Sequence, residues 1–288
     1  MIGELTMKRA HLYAFLFMLI MANAGLADDY AVAFPDTSRG PQWVGWTLLG
    51  CEYVICPIIA SQHWWKHAFG TNPFTNIREQ EHYAVDKMWH FWWGVSITDY
   101  NYWLLKRFLG KDSPWLAMGL TLISLSAVEL LDASDAEAKW GLSLADQGAN
   151  MGGIVLWYAK YRYPDLPIDV RVGFRRWDRV GLYLKRAYNT GSLVEEPPKG
   201  CSVHMDNYSI MKVEVIVRPY NYFYVGIAFS LRTNEDGWGM HENLFGITAG
   251  FDALRWYANK YPGKLTPTAD AFGRHFSESA AYTHWFGK

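Results

Sequence analysis

The sequence predicts a mainly α-helical fold: a bundle of about four long apolar helices plus a basic amphipathic helix, with a small antiparallel β appendage at the C-terminus. Three observations carry this expectation. Four segments between Trp43 and Tyr163 are apolar over lengths that cross or nearly cross a bilayer. The next segment, Val170 to Tyr188, interleaves Arg171, Arg175, Arg176, Arg179, Lys185 and Arg186 with Phe174, Trp177, Leu182 and Leu184. Beyond Glu195–Gly200 the texture changes to alternating β-branched and aromatic residues.

The elements follow in chain order. Met7-Lys8-Arg9 is a basic lead to the apolar run Leu12 to Met21, and small residues at Gly25 and Ala27 precede Asp28-Asp29. That layout predicts a cleavable secretory signal over residues 1–27, with Met7 as the expected start. No cysteine follows the cleavage point, so lipid attachment there is not expected. The first helix reads from Trp43 to Ala60, interrupted by Glu52 and Pro57, and the second from Ala84 to Leu109. Ser113-Pro114 places a capping residue before Pro at the first helical position and opens a third helix to about Leu131. Ser143 caps a fourth, with Asp146 in its first turn and Pro164 at its end near Tyr163.

Residues 28–190 thus form the expected membrane-associated bundle. Its basic fifth segment fits an anionic membrane surface or a solvated face equally well. Glu195-Glu196-Pro197-Pro198-Lys199-Gly200 reads as a linker to a β-rich region over 200–288. There Met211 to Val217, Tyr220 to Leu231 and Leu244 to Trp256 are candidate strands, with a turn at Asn234-Glu235-Asp236-Gly237.

Composition narrows the function classes. Aromatic residues make up 17% of the 288-residue chain, with 15 Trp and 18 Tyr, against 19% charged residues. Such rings favour boundaries between apolar and wet surroundings, and here they cluster at the ends of apolar helices. A net charge of -1 gives no field for a polyanion, which argues against nucleic acid as a partner. Cys51, Cys56 and Cys201 form neither a disulfide framework nor a zinc pattern; Cys51 and Cys56 sit roughly 140° apart on one helix.

Each apolar helix carries polar groups at helical spacing. Asp86 and His90 are four apart on the second helix, with Lys87 adjacent; Glu129 and Asp132 are three apart on the third; Asp146 and Asn150 are four apart on the fourth. Lone carboxylates in apolar surroundings are costly, so such groups seek partners. Antiparallel connectivity brings the three pairs to one end of the bundle. His90 backed by Asp86 would be a general base, with Glu129 and Asp132 as further catalytic candidates and Lys87, Asp146 and Asn150 completing the network. The same set suits a divalent cation, and it equally suits an inert lock on helix register. Cofactor, metal and oligomeric state stay open. His63 and His67, also four apart, flank Trp64-Trp65-Lys66, which reads as an interfacial anchor more than a metal grip. Gly148, Gly152 and Gly153 have the spacing that lets helices approach closely.

Taken as an ordered set, Trp64-Trp65-Lys66, Asp86-Lys87 with His90, Glu129-Leu130-Leu131-Asp132, Trp140-Gly141-Leu142-Ser143, and Asp146, Asn150 and Gly153 resemble an uncharacterised family of predicted periplasmic lipoproteins (YfiM-like) of Gram-negative envelopes. More distantly they are similar to the VanZ-like membrane family. The resemblance covers about Trp43 to Tyr163. The chain departs from it in lacking a lipobox cysteine and in carrying Asp132-Ala133-Ser134-Asp135 where the family has Asp-Gly. It implies an exported protein of the periplasm, associated with the outer or inner membrane, whose partner is a membrane lipid or envelope component; it implies no reaction. Two functions remain open: a polar site acting on or binding a lipid or cell-wall component, and a non-enzymatic envelope scaffold.

Overall fold

Ser143 shows how closely local sequence sets the helix ends. Its Oγ accepts a hydrogen bond from the Asp146 backbone N–H at 3.2 Å and caps the helix Leu144–Arg162. At the other end the Tyr163 N–H closes on the Ala159 carbonyl, just ahead of Pro164. The computed structural model describes residues 42–51, 53, 70, 72–75, 84–134, 141–175, 211–220, 222–232, 242–261 and 282–286. Its helices are α1 (Gln42–Gly50), α2 (Ala84–Leu109), α3 (Pro114–Ser134), α4 (Leu144–Arg162) and α5 (Ala253–Lys260). Its strands are β1 (Ile168–Phe174), β2 (Met211–Tyr220), β3 (Phe223–Arg232), β4 (Glu242–Phe251) and β5 (Tyr282–Phe286). The expected signal peptide, the Glu195–Gly200 linker, the Asn234–Gly237 turn, and His63 and His67 lie outside the described residues.

The chain divides into two compact units. The helical unit holds α1, most of α2, α3 and α4. Its core includes Trp92, Val95, Leu104, Ala117, Leu125, Ile154 and Trp157. Polar side chains tie its helices at intervals. Asn101 Nδ2 donates to Thr121 Oγ1 at 3.0 Å, Gln147 Nε2 to Ser126 Oγ at 2.7 Å, and Trp157 Nε1 to Asp99 Oδ1 at 2.8 Å. Backbones meet where α2 and α4 cross: a Cβ on Gly153 would stand 2.1 Å from the Phe91 carbonyl oxygen, and one on Gly94 would stand 2.3 Å from that of Asn150. Only glycine permits such an approach.

The sheet unit holds β1 to β5 and α5, with the first turn of α2. The strands form one antiparallel meander in the order β1-β2-β3-β4-β5. Directly paired residues share a face. On one face stand Arg171 opposite Glu214, Glu214 opposite Ala228, and Gly226 opposite Thr248, which in turn faces Thr283. On the other face Val215 opposes Ile227, and Ile227 opposes Ile247.

The fold corrects the expected class in three respects. The protein is mixed α and β, not mainly α, because the five-stranded sheet is a compact body with its own buried residues, among them Val170, Val213, Ile216 and Leu231. It is no small appendage. Among the described helices only Pro114–Ser134 is both long and apolar enough to cross a membrane, so the described helices are not a bundle of four long apolar ones. α2 carries Asp86, Lys87, Asp99, Lys106 and Arg107 among its apolar residues and falls short of that standard. Finally, the expected basic amphipathic helix begins as strand β1: pairing with β2 puts Asp169 and Arg171 on one face and Val170 and Val172 on the other. Its later residues, 176–188, lie outside the described chain.

Candidate functional site

His90 lies on α2 one turn before the Gly94–Gly153 crossing, so the close approach of α2 and α4 sets it against the first turns of α4. Its Nδ1 is 3.2 Å from Asn150 Oδ1 and 3.6 Å from Glu129 Oε1, the latter contributed by α3. Its Nε2 is 3.9 Å from Asp146 Oδ1. One imidazole therefore has a carboxylate toward each ring nitrogen. Glu129 is 2% exposed, Asp146 7% and Asn150 0%. Trp93 packs edge-on against the imidazole, with ring centroids 5.3 Å apart, and keeps that flank apolar. The amide nitrogen of Asn150 is buried without a hydrogen-bond partner among the described residues, so the Asn has donor capacity left over.

The remaining sequence-predicted residues are placed as follows. Asp86 sits one turn before His90 on α2, half-buried, with Lys87 Nζ 3.2 Å from its Oδ2. Asp132 lies three residues past Glu129 near the end of α3, half-buried. Glu129, from α3, and Asn150 and Asp146, both from α4, are set against the imidazole, and a carboxylate oxygen of Asp86 lies within 4.8 Å of one of its ring nitrogens.

This arrangement has definite chemical capacities. A neutral imidazole carries one N–H; given to Asn150 and Glu129 through Nδ1, it leaves the Nε2 lone pair facing Asp146. Protonated, the ring donates toward both carboxylates at once. His90 Nε2 and Asp146 Oδ1, 3.9 Å apart, are also spaced for one divalent cation held at about 2.0–2.2 Å from each.

A second buried network, in the sheet unit, was not anticipated. Glu214 Oε1 accepts from Lys212 Nζ at 2.6 Å and from Thr248 Oγ1 at 2.8 Å. Arg171 lies between Glu214 and Asp252, 3.7 Å from each, with its guanidinium 4.0 Å over the Tyr224 ring. Arg218 binds Asp252 at 2.7 Å and pairs with Asp169. Arg171, Glu214 and Asp252 are all 0% exposed. A signal did exist in the sequence: Asp169-x-Arg171 and Lys212-x-Glu214 alternate with valines at the period of a strand.

Compared with known proteins, the chain matches no family model, no curated protein and no solved structure.

Proposed function

We propose that this is an exported envelope protein whose helical unit uses His90 as a proton-accepting group toward a lipid or cell-wall component. The observation that carries the reading is the placement of carboxylates toward both imidazole nitrogens, with Asn150 within hydrogen-bond distance of Nδ1. A base needs a defined tautomer, and the acceptor Asn150 Oδ1 at hydrogen-bond distance from Nδ1, closer than Asp146 is to Nε2, favours the proton on Nδ1 and the lone pair on Nε2. The apolar outer surface of the helical unit, with Trp115, Ile123 and Val155 each more than half exposed, supports a lipid-side location, as does the apolar length of α3. The resemblance of the ordered motifs to the envelope lipoprotein family points to the same compartment.

The test is replacement of His90 by Gln, which keeps polarity and approximate size but removes the base. Cells carrying His90→Gln should show the same altered lipid or cell-wall profile as cells lacking the protein, while the purified variant keeps its unfolding midpoint. A normal envelope profile in that variant would overturn the catalytic reading.

One observation favours a second reading, a polar lock. The Gly94–Gly153 contact presses α2 and α4 so close that polar groups beside it must satisfy one another. If His90→Gln collapses thermal stability, and restoring stability elsewhere restores the envelope profile, the lock is the function.

A further inference from the structure

The sheet unit distributes polarity in the reverse of a water-exposed domain. Charged side chains stand buried in its interior: Arg171, Glu214 and Asp252 are wholly buried, and Lys212 is 5% exposed, while Glu242 and Lys260 lie at the surface. The opposite face of β3, β4 and β5 is apolar and open, with Phe223 57%, Ile227 53%, Ile247 57% and Phe286 51% exposed. We propose that this outer face lies against the acyl chains of a phospholipid bilayer. The inference concerns the sheet unit and does not depend on the role of His90.

Three features select that occupant. The first is charge. The outer face bears no Asp, Glu, Lys or Arg at positions 223, 225, 227, 229, 245, 247, 249 and 286, and His284 stands on it at the edge strand. A face without charge is complemented by a medium without charge, whereas a polar partner would lose its own solvation and gain nothing in return. The second is the order of side chains along the strands. Aliphatic Val225, Ile227, Ile247 and Ala249 hold the middle. Aromatic pairs stand at both ends: Phe223 with Phe251, ring centroids 5.3 Å apart, and Phe229 with Phe245, 5.6 Å apart. An aliphatic band between aromatic girdles is the arrangement of lipid-facing strands. The third is extent. β2, β3 and β4 have 10 residues each, so the apolar face runs roughly 30 Å along the strands, enough to rest against several acyl chains.

The inward charges fit the same picture. Lipid-facing strands alternate apolar outside and polar inside, so ion pairs such as Arg171 with Glu214 are placed where the lipid cannot reach them. Small residues at Gly226, Gly246 and Gly250 make room for them; a Cβ at Gly250 would strike the Tyr224 hydroxyl at 2.3 Å.

The experiment uses the full chain with Cys51, Cys56 and Cys201 replaced by Ser, and a single reporter cysteine carrying an environment-sensitive fluorophore. One version is Ile247→Cys, mid-face; the control is Ala253→Cys, exposed on α5. Each is reconstituted with phosphatidylcholine–phosphatidylglycerol vesicles, with and without bromine on the acyl chains. At position 247 the emission should shift to the blue and be quenched severalfold more by brominated chains than at 253. Joining Ile227→Asp to Ile247→Asp should lower the vesicle-bound fraction at least tenfold with the sheet circular dichroism unchanged; should that pair fail to fold, the labelled single-site proteins decide alone. The proposal is overturned if the label at 247 in vesicle-bound protein is quenched by aqueous iodide as readily as at 253. It is also overturned if 247 is already shielded without vesicles in a species that sediments as a dimer, since a second copy would then cover the face.

Discussion

Gly94 and Gly153 meet backbone to backbone where α2 crosses α4, and a Cβ on Gly153 would fall 2.9 Å from the Gly94 Cα and 2.1 Å from the Phe91 carbonyl oxygen. The contact sits one turn from His90 and one turn from Asn150, so it sets the distance across which those two bond. Gly153→Ala is expected to push the helices apart and cost about 1–3 kcal/mol in chemical unfolding. Gly148, on the same helix with open space around it, is the control: Gly148→Ala should stabilise by about 0.5–1 kcal/mol. Equal effects at the two positions would remove the crossing as a determinant of the site.

Arg171 is the largest fully buried side chain in the sheet unit and stands between two buried carboxylates. Arg171→Met keeps the stem and removes the charge, leaving Glu214 and Asp252 short of a counter-ion. Denaturant titration should show a loss of about 3–5 kcal/mol. A loss below about 1 kcal/mol would mean that Lys212 and Arg218 balance the network unaided.

Tyr102 donates from its hydroxyl to Asp112 Oδ1 at 2.7 Å. Burial first, and then the hydrogen bond and charge of Asp112, hold its ionisation well above the ordinary tyrosine value of 10. The folded state therefore keeps a proton that the unfolded chain releases. This contribution to stability is whole below about pH 10 and is lost as pH rises above it. Tyr102→Phe should flatten that alkaline decline in an unfolding series from pH 8 to 11, and the variant should also show one fewer late-titrating tyrosine by ultraviolet absorbance. A parallel decline in both proteins would refute the assignment.

Ser143 caps α4 directly ahead of Asp146, the carboxylate facing His90 Nε2. Ser143→Ala should cost about 1 kcal/mol of stability. Fraying of that first turn should also loosen Asp146, visible as faster amide exchange at residues 144–147 than in Ser143→Asp, which retains a capping oxygen. Identical exchange in the two variants would separate the cap from the site.

How much of this was legible varies by element. α2 spans the residues expected of it, and α3 and α4 begin where Ser113-Pro114 and Ser143 place them, because capping and Pro chemistry act within a few residues. The polar spacings on α2, α3 and α4 were legible too, but not which partner each residue would take. Asp86 could be read as the backing for His90 from four-residue spacing alone; Glu129 and Asn150 approach from helices dozens of residues away. Arg171 was misread with its neighbours because a short run of arginines and apolar residues satisfies a helical and an alternating period equally well.

By itself, the sequence determined where α2, α3 and α4 begin, the alternating β texture after Met211, and the presence of ionisable groups at helical spacing on those three helices. All of these follow from interactions within one or two turns of chain. The tertiary structure decided the rest: that Ile168–Phe174 is a strand, that the sheet is a compact body of its own, that His90 sits against Glu129, Asn150 and Asp146, and that Arg171, Glu214 and Asp252 are buried together. The reason is pairing at a distance. β1 acquires its period only from β2, some 40 residues on. Likewise His90 acquires its partners only where two glycines, Gly94 and Gly153, let two helices touch.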